Sequence, residues 1–261
     1  MPFSITAALQ EGLERLFSRV GATFAVVLFV LGTLNAMFSA TMAAGFIGRP
    51  FGGPGMGPGG SMVPTVGIPT PVAGVLTLVV VILTAIVGIA ALRAFVDEVD
   101  RDLDRSLFTR NLGWALVNLI VGGIVFGLAV AIGLVLLVIP GIFLLVSLVF
   151  WSVYVVVEDV SFVEGFRRSW ALTSGHRLRL FGLGFVTLLI VSVVSGLFSL
   201  PARVGAPGIG ALVVAQIGSA VTSVFSSATL ARAWVQLRTL TDDEAGENDE
   251  GTATTADQPD A

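Results

Sequence analysis

Long apolar runs separated by short charged connections dominate the chain, and that alternation predicts its architecture. Six segments are apolar over the ~20 residues that a helix needs to cross roughly 30 Å of hydrocarbon. They are 21–44, 72–95, 113–138, 140–157, 179–200 and 209–235. The expected fold class is all-α: a polytopic transmembrane helix bundle of about six spans over 21–238, with short cytoplasmic interfacial helices. Ahead of it, in 1–20, Ile5, Leu9, Leu13, Leu16, Phe17 and Val20 recur at helical spacing. Glu11, Glu14, Arg15 and Arg19 occupy the other side, a pattern that predicts an amphipathic helix lying in the interface. The charged region before 21–44 is long and mixed in sign, and the apolar run exceeds a signal-peptide core, so an uncleaved first span is expected.

Two connections break the pattern. Residues 45–71 are rich in glycine and proline and read as an external loop, with Arg49–Ser61 unable to hold a regular helix or strand. No strand precedes those glycines and no GK[ST] follows, so they are not a phosphate-cradling loop. The third and fourth spans come from one apolar stretch, which Ile139-Pro140-Gly141 is expected to divide. Proline removes a backbone donor and restricts the residue before it, while glycine tolerates a turn, so Pro140 and Gly141 are the expected hairpin break.

Charge sharpens the picture. Only 12% of the 261 residues are charged, about half the share usual in soluble domains, so most of the chain needs no solvated face. There is no cysteine, which excludes disulfides and cysteine-ligated metal sites. All 14 basic residues are arginine. The segment 239–261 carries eight acidic residues and no basic one, and is expected to be a disordered cytoplasmic tail. Without those eight charges the net charge of −4 becomes +4. A lysine-free chain with an acidic appendage has the composition of a salt-adapted, halophilic archaeal proteome. Twelve arginines fall in or beside the connections on one side of the predicted bundle; only Arg49 and Arg203 fall on the other. Arginine collects in cytoplasmic loops, so both termini are expected in the cytoplasm and the protein in the cell membrane as a multi-pass chain.

Candidate chemistry lies in the connections. Asp100-x-Asp102-x-Asp104 resembles the start of a calcium loop, but Arg105 replaces the glycine and Asn111 the bidentate glutamate. The segment Glu158–Gly175 carries more. Phe162, Val163, Phe166 and Trp170 share a helical face, Ser161 and Glu164 fit a capping box, and Gly175 suits a C-terminal cap. Glu158 either pairs with a cation, from a partner or from Arg168 or Arg177, or simply ends its span beside a helix N-terminus. Arg167 and Arg168 are placed to reach phosphates, with Trp170 at headgroup level. The candidate interaction residues are Glu158, Arg167, Arg168, Ser169, Trp170 and Gly175. In span six, Ala211, Ala215, Ser219, Ser223, Ser227 and Ala231 recur every fourth position. They, Gly123-x-x-x-Gly127 and Ser192-x-x-x-Gly196 are expected to pack inside the bundle or line a polar path.

Ile139-Pro140-Gly141, the aromatic-rich span after it, Glu158 and Arg168-Ser169-Trp170-Ala171-Leu172-Thr173-Ser174-Gly175 together resemble the membrane domain attached to some glycerophosphodiester phosphodiesterases. The resemblance covers about 139–182 and implies a multispan membrane module, often found alone and largely of unknown function. It does not imply the hydrolase, whose soluble catalytic domain needs several histidines and carboxylates; the one histidine here is His176.

No activated nucleophile, metal set or cofactor motif emerges, and the spans carry no charge near a bilayer centre. The expectation is a non-enzymatic scaffold or regulatory module acting through its cytoplasmic face. It needs no cofactor, metal or nucleic acid, and its partners are the bilayer and a membrane or cytoplasmic protein. The alternative is a transporter or permease component for a small molecule or lipid.

Overall fold

A computed structural model describes residues 4–46, 65–99, 104–203 and 208–256. The helices are α1 (Ile5–Phe17), α2 (Arg19–Phe46), α3 (Thr70–Val96), α4 (Ser106–Thr109) and α5 (Leu112–Leu136). They are followed by α6 (Val138–Ser147), α7 (Trp151–Val157), α8 (Phe162–Thr173), α9 (Arg177–Arg203) and α10 (Ile209–Ala256). No strand occurs among the described residues. Among the described residues, six helical stretches are long and apolar enough to cross a membrane: Arg19–Gly45, Thr70–Val96, Leu112–Leu136, Val138–Val157, Arg177–Pro201 and Ile209–Asp242. On α5, Val117, Ile120, Ile124, Leu128 and Ile132 form a stripe 57–59% exposed. Such a face is at home against hydrocarbon and out of place in water. The molecule is a multi-pass α-helical membrane protein.

The buried core gathers toward the arginine-rich end. Phe24 of α2 meets Phe95 of α3 edge to face at 5.9 Å, and Tyr154 of α7 meets Trp234 of α10 at 5.6 Å. These are favourable aromatic geometries. The helix α1 packs along α10 through Ala8, Gly12 and Leu16, while Leu13 and Phe17 stay exposed. The centre of that contact is small because the backbones are close: a Cβ on Gly12 would lie 2.4 Å from Thr229 Oγ1. A single residue, Ser18, turns α1 into α2. Its hydroxyl donates to the Arg15 carbonyl (2.7 Å) and accepts from the Gly21 amide (3.0 Å). The corner leaves no room for a side chain at Gly21, whose Cβ would stand 2.1 Å from the Arg15 carbonyl oxygen.

Several expectations change. The chain reverses between α5 and α6 at Leu137, not at Pro140-Gly141. Pro140 is the third residue of α6, where its missing N–H is one that a helix leaves unpaired anyway. Gly141 serves the packing: a Cβ on Gly133 would sit 2.9 Å from Gly141 Cα. The fourth span is itself broken, with a turn at 148–150 between α6 and α7. Cβ atoms on Gly123, Gly127 and Gly196 would meet nothing within 4 Å, and Ser192, Ser219 and Ser223 are exposed. The glycine faces of α5 and α9 and the middle of the α10 run therefore point outward, while Ala211 and Ala231 at the two ends of that run are buried with Thr222, Phe225, Ala228 and Thr229. Helix α10 also continues through the acidic segment expected to be disordered, as far as Ala256. Extending an existing helix needs no new nucleus, and the next proline is Pro259. Of the Gly/Pro-rich loop, residues 47–64 lie outside the described residues, as do Asp100 and Asp102.

Candidate functional site

The segment Glu158–Gly175 is built locally by caps. Glu158 closes α7, Asp159 takes a left-handed conformation (φ 55°), and Ser161 caps α8 by accepting the Glu164 amide at 3.3 Å. The expected box is half formed, because the Glu164 carboxylate turns to Arg168 Nε (2.8 Å) instead of back to the cap. That hydrogen bond from Arg168 holds the Glu164 carboxyl below its ordinary range. After Thr173, Gly175 adopts φ 86°, the left-handed C-terminal conformation that glycine reaches without steric cost.

Glu158 does not face solvent unpaired. One carboxylate oxygen accepts from Arg168 Nη1 and the other from Arg238 Nη1, so it joins α8 to α10. Arg238 also stands over the Trp234 ring at 4.9 Å. The adjacent Asp159 receives Arg93 Nη2 (3.1 Å) and Arg110 Nε (3.2 Å). Trp114 Nε1 donates to the Asp159 carbonyl at 3.2 Å. A third cluster unites α1, the end of α3 and α10. In it Arg232 donates to Glu11 and Glu98, and Arg15 lies 3.5 Å from Glu98.

Arg93 is the centre of this end of the bundle. It is 1% exposed and uses its whole fork. Nε donates to the Val156 carbonyl (2.8 Å), and Nη1 to the carbonyls of Leu107 (3.1 Å) and Arg110 (2.9 Å). With Nη2 on Asp159, one guanidinium binds the ends of α4 and α7 and the connections into α5 and α8. Sequence reading counted Arg93 only as a topology marker, although it stands at the end of a span, where a buried cation must find partners.

Ser169 and Thr173, one turn apart on α8, are both 0% exposed. Their hydroxyls donate to the Ser147 carbonyl at 3.0 and 3.2 Å, and Ser169 Oγ accepts the Phe150 amide at 3.1 Å. The turn between α6 and α7 leaves those backbone groups without helical partners, and α8 supplies them. Gly165 permits the approach, since a Cβ there would lie 2.9 Å from the Trp151 carbonyl oxygen. Asn118 of α5 completes the seat, accepting the Phe162 amide at 2.9 Å.

Of the residues singled out in sequence, Glu158, Arg168 and Ser169 thus serve as internal fasteners. Arg167 is separate, 82% exposed and no nearer than 3.7 Å to Glu164. Trp170 packs edge to face on Phe143 at 5.4 Å and lies under the Arg177 guanidinium at 4.7 Å. Pro140 and Gly141 stand at the α5–α6 hairpin and take no part. Asp159, Thr173 and Arg238 were not chosen in sequence; Thr173 was visible as a hydroxyl four residues after Ser169. Among the described residues no group of three His, Asp or Glu is placed to hold a metal ion.

The chain belongs to a family described as a domain of unknown function (DUF7847), whose profile matches residues 3–237. No curated protein and no solved structure matches it.

Proposed function

We propose that this DUF7847 chain is a non-enzymatic scaffold or regulatory membrane module that works through its arginine-rich end. The observation that carries this reading is the division of labour on α8. Its buried Ser169 and Thr173 and the half-exposed Arg168 are committed to internal bonds, while Val163 (61% exposed) and Arg167 (82% exposed) point outward beside Trp170. The anchored helix presents that face with little conformational freedom, which lowers the entropic cost of binding a partner. Photo-crosslinking from a probe at Val163 in native membranes tests this. A discrete protein adduct that disappears in Arg167→Glu is expected. Adducts that survive the substitution, or none beyond lipid, would rule the module out.

The arginine bias supports a cytoplasmic location for this end and for both termini, in the cell membrane. Reporters fused after Ala261 and within 50–60 should then score on opposite sides; same-side scores overturn the topology. The resemblance to the phosphodiesterase-associated membrane domain, read in sequence over about 139–182 from Ile139-Pro140-Gly141, Glu158 and Arg168–Gly175, fits the same module-type reading.

A transporter or permease component for a lipid is favoured by one feature. A cavity of about 480 Å³ lies between α1, α9 and α10, walled by Leu13, Phe17, Ile190, Val194, Thr222 and Phe225. Its volume and lining suit an acyl chain. Lipid exchange between vesicles, abolished by Val194→Trp, is its test.

A further inference from the structure

Among the described residues, most arginines at this end lie beside a carboxylate; Arg177 does not. Arg15, Arg93, Arg110, Arg168, Arg232 and Arg238 each form an ion pair. The guanidinium of Arg177 instead sits over two rings, 4.6 Å from the Phe143 ring centre and 4.7 Å from that of Trp170. Its Nε is buried and has no hydrogen-bond partner. Its two terminal nitrogens form no hydrogen bond or ion pair among the described residues, so the cation still has donors for charge-assisted bonds to a phosphate or carboxylate, while the enclosed Nε does not face one.

Its surroundings select among anions. Arg177 is the first residue of a candidate span, so its guanidinium lies where a bilayer's headgroups begin. Directly beyond it along α9, Leu178 (84% exposed), Phe181, Phe185 and Leu188 form an open apolar stripe at helical spacing. Arg179 and Arg167 add exposed positive charge. A soluble anion would use the cation and ignore the stripe. A molecule with a phosphodiester at one end and hydrocarbon at the other uses both.

We infer that the Arg177–Phe143–Trp170 clamp is a binding site for the phosphate of an anionic phospholipid whose acyl chains lie along the Leu178–Leu188 face of α9. It requires no protein partner on α8, so it stands or falls apart from the scaffold reading.

The full chain, purified in a neutral detergent, is titrated with phosphatidylglycerol, phosphatidylcholine and inorganic phosphate. Retained lipid is read by native mass spectrometry and stability by thermal unfolding. Retention of phosphatidylglycerol should exceed that of phosphatidylcholine roughly tenfold, because both carry the phosphodiester but the choline ammonium places a further cation beside Arg167, Arg177 and Arg179. Inorganic phosphate should give no comparable thermal shift. Arg177→Gln should bring the lipid ratio to about one, whereas Arg19→Gln, an exposed arginine on α2, should leave it unchanged. If Arg177→Gln does not fold, Leu178→Ser with Phe181→Ser should weaken lipid retention while the charge remains. An unchanged ratio in Arg177→Gln, or, where that variant does not fold, undiminished phosphatidylglycerol retention in the double variant, or an equal shift with inorganic phosphate, overturns the site.

Discussion

Replacing Arg93 with methionine is expected to cost about 3–5 kcal/mol of stability, the range seen when one member of a buried ion pair is removed. The substitution keeps the apolar stem and takes away the fork. Three backbone carbonyls and the inner oxygen of Asp159 then lose their donor in a place water hardly reaches. Lysine should restore less than half of the loss. An ammonium on a flexible stem can satisfy Asp159, but it cannot serve partners spread along both sides of a planar group. Asp159→Asn in the Arg93→Met background should recover part of the stability, because it removes a carboxylate left with Arg110 alone. Asparagine also tolerates the left-handed backbone there (φ 55°). Unfolding by titration with a denaturing detergent gives the comparison. An Arg93→Met protein within 1 kcal/mol of the original would mean that the fork does not hold this end together.

The hydroxyl pair on α8 should behave as a unit. Ser169→Ala strands the Phe150 amide and is expected to cost about 1–3 kcal/mol; Thr173→Val, nearly isosteric, is expected to cost less. Each leaves the Ser147 carbonyl one donor, so the double variant should lose more than the two single losses combined. Ser147→Ala is the discriminating control. Its hydroxyl is buried without a partner, and it is the carbonyl that α8 holds, so removing the hydroxyl should be neutral or slightly stabilising. A double-mutant cycle that is simply additive, or a Ser147→Ala loss as large as that of Ser169→Ala, would show that the turn needs no fastening.

The six spans were legible in the sequence because crossing hydrocarbon demands a length of apolar chain that little else requires. The caps at Ser161 and Gly175 were legible because they depend on residues a few positions apart. Arg93 was not, since its partners Leu107, Arg110, Val156 and Asp159 become neighbours only when α3, α5 and α7 converge. The hairpin was misplaced for a related reason. Proline was read as a break, whereas the first turn of a helix accepts it, and the reversal falls at Leu137, which no residue preference marks. The small-residue runs failed differently: spacing defines a face, but not which neighbour that face meets. Ser219 and Ser223 keep their period and look outward.

The bond between Glu11 and Arg232 spans 221 residues, and it fixes when the molecule can be finished. Helix α1 leaves the ribosome well before α10, against which Ala8, Gly12 and Leu16 pack. Through synthesis of the intervening spans α1 has only part of its final surroundings, and its small-residue face stays uncovered. Insertion of α10 therefore acts as a ring closure: α1 and α10 meet, and only then can Glu98 find both Arg15 and Arg232. A truncated chain that lacks α10 retains five apolar spans and an open seam, a form that cellular quality control has physical grounds to tell from the complete bundle.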